Sequence, residues 1–158
     1  MLRGKTLIAI PLLLCCIATD RAASEPPPGT QPSTQPLAKL TIDVVDLRSR
    51  KGQLIFGVFK SADGFPNKAK NSVNWQIRKI DAAHVVFTAE LPPGKYSGSV
   101  LHDENNSGDM DKNFAGVPKE GYGVTNNPKP KLRPARFDEA LFTLPPEGAK
   151  LTISVQYF

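Results

Sequence analysis

The chain has 158 residues, 22% of them charged, and a formal net charge of +5. This length is typical of one domain. The weak basic excess comes without the basic stripe and recognisable module of nucleic-acid-binding proteins. Composition and charge therefore predict a small globular protein and exclude nucleic acid as its partner.

The first 23 residues have the pattern of a secretory signal peptide. Arg3 and Lys5 precede an uncharged apolar run over residues 7–17, and small residues follow it at Ala18 and Ala23. This order predicts export, with cleavage after Ala18 or Ala23. The run is shorter than the about 20 residues that a membrane-spanning helix needs. We therefore expect no transmembrane segment in the mature chain.

Both cysteines, Cys15 and Cys16, lie inside this apolar run. Cleavage removes them, which excludes disulfides and thiol catalysis in the mature protein. A lipoprotein signal is the alternative, but it requires a small residue before the cysteine, and Leu14 precedes Cys15 here. We predict a periplasmic or secreted protein rather than a lipid-anchored one.

Residues 24–37 read as a spacer, because they contain five prolines and no aromatic residue. Such a segment has little to bury and prefers extended, solvated conformations. The remaining residues, 38–158, predict one folded domain that is long enough to form a hydrophobic core without disulfides or metals.

The folded domain shows apolar alternation with a period of two residues. In its last segment Leu151, Ile153, Val155 and Tyr157 alternate with polar residues, which predicts a strand with these four side chains in the core. Proline- and glycine-rich turns separate the segments. The pattern predicts an all-β fold, a small two-sheet sandwich of six or seven strands. The strands are expected near residues 40–44, 54–59, 75–80, 85–91, 96–101, 140–144 and 151–157.

Residues 102–136 form a long connection rich in Gly, Asn, Asp and Pro. Long connections inside compact domains are usually functional or disordered. Phe114, Val117, Tyr122 and Val124 are expected to pin this one to the sandwich. We predict that it is the functional loop of the domain.

Oxygen-bearing side chains alternate at the start of this connection, with a glycine, Gly108, at the sixth position. The spacing resembles a calcium-binding loop. Phe114 stands where a bidentate glutamate is expected, which leaves a weak site, a ligand from elsewhere in the chain such as Glu120, or no site at all. An Asx-rich turn, in which the side chains bond their own backbone, is the alternative. The candidate ligands are Asp103, Asn105, Ser107, Asp109 and Asp111.

No nucleophile elbow, metalloprotease helix, phosphate loop or dinucleotide fingerprint occurs in the chain. His102 has the strand parity of Tyr96 and Val100, which predicts a structural histidine at the edge of the core. His84 is expected on the solvent face of its strand. We assign no catalytic residue and no certain cofactor.

A basic run follows, in which Lys129, Lys131, Arg133 and Arg136 are interleaved with prolines. The pattern is typical of a stiff, solvated loop. It is also compatible with contact to an anionic surface.

Several runs of the domain resemble DUF2141, a family of uncharacterised exported bacterial domains. The first are Leu40 to Leu47, Ser61 to Pro66 and Leu91 to Tyr96. The most distinctive run begins with His102-Asp-Glu-Asn105 and continues through Glu120-Gly-Tyr-Gly123 to Asn126 and Asn127. The resemblance implies an immunoglobulin-like or prealbumin-like sandwich, and it brings no catalytic residues.

Residues 100–111 are also similar to the calcium-holding loops in B-type repeats of Gram-positive surface adhesins. Those loops carry a glutamate where this chain has Phe114. The similarity therefore implies a calcium-ligand role only for Asp103, Asn105, Ser107 and Asp111.

Three functions remain open on the sequence. The first is an exported binding or structural module of the cell envelope, with residues 102–136 as its working surface. The second is a small periplasmic hydrolase using His102 and the acidic loop. The third is an envelope accessory domain that binds anionic lipid or polysaccharide through the basic run.

Overall fold

A computed structural model describes residues 36–129 and 133–158. The predicted signal peptide and residues 24–35 of the predicted spacer lie outside the described residues, as does Lys131 of the basic run. The first strand begins at Ala38. No helix in the described ranges is long and apolar enough to cross a membrane.

The described chain forms eight strands in two sheets, so the predicted all-β two-sheet sandwich is confirmed. The helical content of these residues is a single 3-10 turn at Ala69–Asn71. One strand more than the six or seven expected appears, inside the connection predicted as a loop. The strands are β1 Ala38–Val45, β2 Gln53–Phe59, β3 Asn74–Lys79, β4 Val85–Leu91, β5 Gly94–Asp103, β6 Gly121–Val124, β7 Leu141–Leu144 and β8 Ala149–Ser154.

The smaller sheet has the order β4-β1-β8, with β1 antiparallel to β4 and parallel to β8. The larger sheet has the order β3-β2-β5-β6. β5 is its central strand: the full length of β2 pairs along one edge of it, while the other edge is shared by β7 at its start and β6 at its end. The end of β5 is therefore flanked on both sides, and the long connection leaves from there.

The core lies between the sheets, because alternate side chains of facing strands point inward. β4 alternates strictly between buried and exposed residues. Phe87 of β4 stacks on Phe56 of β2 with ring centroids 4.9 Å apart, which joins the two sheets at their centre. In the last segment Ile153 and Val155 are buried, and Leu151 and Tyr157 pack partly buried against the core.

Loop segments cover one part of the outer face of the larger sheet. Phe65, in the segment that follows β2, packs edge-to-face on Phe59 at 5.3 Å and on Phe137 at 5.8 Å. A second small cluster of Val124, Ala135 and Ala140 lies beside them. Because this side is covered as well, β2 is buried on both faces. The other part of the face is open.

We expect Ile153→Asp to prevent folding, because Ile153 is fully buried and its replacement would place an unpaired charge in the core. The cost should exceed about 4 kcal/mol, a large part of the stability of a small domain. Urea unfolding followed by circular dichroism measures it. The neighbouring Thr152→Asp, at an exposed position, is the control and should change stability little. An unchanged unfolding midpoint for Ile153→Asp would show that β8 faces the other way.

Candidate functional site

His102 lies at the end of β5 with its ring fully buried. Its Nε2 is 2.9 Å from the carbonyl oxygen of Lys51, so Nε2–H donates to that oxygen. Nδ1 therefore accepts from the hydroxyl of Tyr157, at 2.5 Å. Both ring nitrogens are bonded within the protein, and the ring lies on the core side of β5, as its strand parity predicts.

Asp103, the next residue, points to the opposite face of the sheet and is also fully buried. Its Oδ1 accepts from the backbone N–H of Ser107 at 3.0 Å, and its Oδ2 accepts from the N–H of Gly108 at 2.9 Å. Oδ2 also accepts from the side-chain amide of Gln53 on β2 at 2.8 Å. One carboxylate thus ties the acidic loop, residues 103–111, to the sheet.

Glu104 faces the β1–β2 connection, where its carboxylate forms an ion pair with Arg48 and accepts from the Ser49 hydroxyl at 2.7 Å. The Arg48 guanidinium holds the pKa of Glu104 well below its usual range, at about 2. Arg48 also lies 4.4 Å above the ring of Tyr157 and donates to the carbonyl oxygen of Lys119 at 2.9 Å. This contact fixes the loop from its other side.

Glu120, just before β6, closes the far end of the loop. Its two carboxylate oxygens accept from the backbone N–H of Glu104 at 3.0 Å and of Asp111 at 3.2 Å. Burial raises its pKa, an effect that these two hydrogen bonds oppose. Glu120 was the example of a metal ligand from outside the acidic loop. In the structure both of its carboxylate oxygens accept from backbone N–H groups.

The remaining predicted ligands lie toward the outside of the loop. Asn105 donates to Asp111 at 2.7 Å and accepts from the N–H of Ser107 at 2.9 Å, as in an Asx turn. The Ser107 hydroxyl donates to the carbonyl oxygen of Asp109 at 3.0 Å. In residues 36–129 and 133–158, no three His, Cys, Asp or Glu side chains are grouped to hold a metal ion. The calcium prediction, which also used Asn and Ser oxygens, stays a prediction.

After the acidic loop the chain makes a small hairpin. Asn113 accepts through its side chain from the N–H groups of Ala115 and Val117, at 2.9 and 3.0 Å, and so fixes the turn. Phe114 at the tip is fully exposed, with 104% of its reference area accessible, and Val117 is exposed as well. The expectation that these two pin the connection to the sandwich is wrong, because hydrogen bonds at the base of the hairpin hold it instead.

β6 follows at once, and its glycines let it pass closely over the C-terminal segment. A Cβ on Gly121 would lie 2.2 Å from Cε1 of Tyr157, and one on Gly123 would lie 2.5 Å from Cγ2 of Ile153. Tyr122 between them points to the outer face and stacks on Phe158, with ring centroids 5.6 Å apart. The Gly-Tyr-Gly pattern thus combines close packing on one face with an aromatic surface on the other.

The open part of the outer face is a groove whose floor is a row of apolar side chains. Ile77, Ile55, Leu101 and Tyr122 are successive cross-strand neighbours on β3, β2, β5 and β6. Trp75, which is 46% exposed, lies beside Ile77, which is 47% exposed. The cavity has a volume of about 430 Å³. The sequence did not predict this groove, because its floor is assembled from four strands by their pairing register.

Two loops form the walls of this groove. One wall is the segment from Pro66 to Asn71, and the other is Gly108 to Met110 of the acidic loop. Asn67, Met110 and Tyr122 also line a second cavity of about 430 Å³, which extends toward Phe158. Part of the acidic loop that the sequence singled out is therefore one wall of a groove that the sequence did not reveal.

The basic run is only partly described. Arg133 forms an ion pair with Glu139, with a second hydrogen bond of 2.8 Å, and the N–H of Arg136 donates to the same carboxylate at 2.8 Å. Lys129 is exposed. One of the four charges is thus neutralised within the protein.

The two sheets and the loop held to β5 by buried carboxylates define a small all-β sandwich domain. The family model described as "Uncharacterized protein conserved in bacteria (DUF2141)" matches residues 42–153, and the chain belongs to this family. Searches of curated proteins and of solved structures each found no significant match. The residues that carry the resemblance, from His102 to Asn105 and from Glu120 to Gly123, are the ones that hold the loop in place.

Replacing Glu104 by Gln should lower the free energy of unfolding at pH 7 and have no effect near pH 2. The folded-state pKa of about 2 lies below the ordinary value of 4.5, so the ionised form stabilises the fold above pH 4.5. That contribution is lost as the pH falls toward 2. We expect about 1 kcal/mol, because 44% of the Arg48 side chain is exposed and solvent screens the pair.

Urea unfolding of both proteins at pH 7, 4 and 2 measures this difference. Glu147→Gln, at an exposed turn between β7 and β8, is the matched control and should behave like the parent chain at every pH. A Glu104→Gln effect that is the same at all three pH values would contradict the ion-pair account.

Proposed function

We propose that the chain is an exported, non-catalytic binding module of the cell envelope, with the groove as its ligand-binding surface. The observation that carries the proposal is the groove over Ile77, Ile55, Leu101 and Tyr122, in which Trp75 and Ile77 are about half exposed. Contiguous exposed apolar surface in a soluble domain usually marks a binding site. The volume falls within the range of small-molecule sites.

The first 23 residues support the export part of the proposal, because basic residues are followed by an apolar run and then by small residues, as in a signal peptide. It implies a mature chain that begins at Thr19 or Ser24, in the periplasm or outside the cell. The folded domain then follows a proline-rich spacer.

The two other functions receive less support from the geometry. A hydrolase would need His102 to meet a substrate, but its ring is buried and both of its nitrogens are bonded. Contact with anionic lipid or polysaccharide would use the basic run, where Lys129 and Arg136 are exposed but the charge of Arg133 is already paired with Glu139. The groove is accessible without any rearrangement of these groups.

We further propose that the acidic loop binds calcium weakly, as a structural ion. Asp109 is exposed and Asp111 half-buried, and Asn105 and Ser107 add neutral oxygens near them. Asp103 is already committed to three hydrogen bonds, which supports an affinity at the weak extracellular end, on the order of 10⁻⁴ to 10⁻³ M.

Several millimolar calcium should raise the melting temperature, since an ion at tenfold excess over its dissociation constant stabilises by about 1.4 kcal/mol. The variant Asp109→Asn/Asp111→Asn should lose this effect and keep the fold, because it leaves Asp103 intact. Glu90→Gln, an exposed position on β4, should keep the calcium response. If calcium still stabilises the double variant, the ion binds elsewhere on the protein. If calcium has no effect on the parent protein, the acidic loop is an Asx-rich turn and not a calcium site.

The groove is tested with N-phenyl-1-naphthylamine, an uncharged apolar fluorophore. We expect saturable one-to-one binding with energy transfer from Trp75, the only tryptophan of the chain. Leu101→Asn should weaken binding about tenfold, because the floor loses an apolar contact worth about 1.4 kcal/mol. Protein exported by an expressing bacterium is used, and its intact mass shows whether the chain begins at Thr19 or Ser24.

The matched control is Val86→Asn, which removes an exposed apolar side chain from the outer face of the smaller sheet. It should bind the fluorophore like the parent protein. If Leu101→Asn has no effect, or if Val86→Asn weakens binding equally, the groove is not the binding surface.

A further inference from the structure

The groove is elongated across the strands rather than along them. Its floor spans β3, β2, β5 and β6, and neighbouring strands lie about 4.8 Å apart, so the row from Ile77 to Tyr122 is about 14 Å long. Met110 lines both this groove and the second cavity toward Phe158, which continues the apolar surface beyond β6. An apolar floor of this length fits an extended apolar chain.

The rim of the groove is charged, and its charge is mainly positive. Lys68 and Lys70 stand on one wall, and Lys112 lines the adjoining cavity. None of the three takes part in the ion pairs found among residues 36–129 and 133–158. Asp109 is the one acidic residue of the lining, and Arg133 is already paired with Glu139.

The backbone around the two lysines of the first wall is ordered by its own hydrogen bonds. The N–H of Lys68 donates to the carbonyl oxygen of Gly64 at 2.7 Å, and the N–H of Asn71 donates to the carbonyl oxygen of Lys68 at 2.8 Å. The side chains of Lys68 and Lys70 are exposed. These ammonium groups are therefore available to a ligand without any loss of structure in the wall.

We infer that the ligand of the groove is a single-chain amphipathic anion, an unbranched apolar tail that ends in a carboxylate or phosphate group. The inference rests on the proposed function of the groove and adds the class of ligand. The tail lies along the row from Ile77 to Tyr122, where it covers exposed apolar surface. The anionic group lies between Lys68 and Lys70, which supply charge-assisted hydrogen bonds.

Three amphiphiles with the same ten-carbon chain test the inference: decanoate, decanol and decylammonium, all below their micellar concentrations. The fluorescence of Trp75 reports binding directly, because the side chain lies in the groove and is half exposed. We expect a blue shift with saturation, and an affinity for decanoate about tenfold or more above that for decylammonium, with decanol between them.

Two double variants and one single variant separate the contribution of the lysines to binding from that of the apolar floor. Lys68→Gln/Lys70→Gln should remove most of the preference for decanoate and leave decanol binding unchanged. Lys39→Gln/Lys150→Gln makes the same change in net charge on the smaller sheet, where both lysines are exposed, and should keep the preference. Leu101→Asn should weaken all three ligands together.

The outcomes separate this inference from the proposed function. Equal binding of the three amphiphiles, or a decanoate preference that survives Lys68→Gln/Lys70→Gln, overturns the inference while the groove remains a binding site. Binding of decanoate only above its micellar concentration also overturns it, since the protein would then recognise an aggregate surface. No response of Trp75 to any of the three ligands, together with no binding of N-phenyl-1-naphthylamine, overturns both.

Discussion

The carboxylate of Asp103 is the group on which the candidate site depends. It is buried and accepts three hydrogen bonds, two from backbone N–H groups of the acidic loop and one from Gln53 on the neighbouring strand. Hydrogen bonds to a buried ionised group are stronger than neutral ones, and removing the group leaves several donors without partners. Gly108, which donates to this carboxylate, is the first residue of the groove wall formed by Gly108 to Met110. The position of the Asp103 side chain therefore sets where this wall begins.

Successive residues at the end of β5 point to opposite faces of the sheet and therefore make different contacts. His102 points into the sandwich and binds Tyr157 of the C-terminal segment, whereas Asp103 points outward and holds the loop. Glu104 then turns to Arg48, and Arg48 in turn contacts Tyr157. The loop is thus connected to both sheets through three consecutive side chains, and Gly121 supplies the space in which the Tyr157 ring lies.

Periodicity in the sequence predicts most of the fold because β1, β4 and β8 each have one face in the core and one polar face. It misses β6, because Gly121-Tyr-Gly123 has no apolar alternation. Its two glycines are needed because side chains near the C-terminus, Tyr157 and Ile153, lie directly against them. The spacing of the acidic loop fits a calcium site and an Asx turn equally well. Two of the three partners of Asp103 are local backbone N–H groups, whereas the third, Gln53, is fifty residues earlier in the chain and becomes a neighbour only through strand pairing.

The groove could not be predicted at all from local pattern, for a related reason. Ile77, Ile55, Leu101 and Tyr122 come from four strands, and only the register of those strands places them in one row. Each residue alone looks like an ordinary strand residue. Different parts of the same face have different surroundings: Phe59 on β2 packs under Phe65, whereas Ile55, four residues earlier, lies in the groove floor.

The position of β3 at the border of its sheet bears on the behaviour of the protein at high concentration. A border strand has unpaired backbone groups along one side, and Trp75 and Ile77 add apolar surface next to them. Arg78 and Lys79 at the end of the strand act against self-association, because a parallel partner in register would bring like charges together. The strand is thus protected by charge at one end only, and high salt, which screens that charge, weakens this protection.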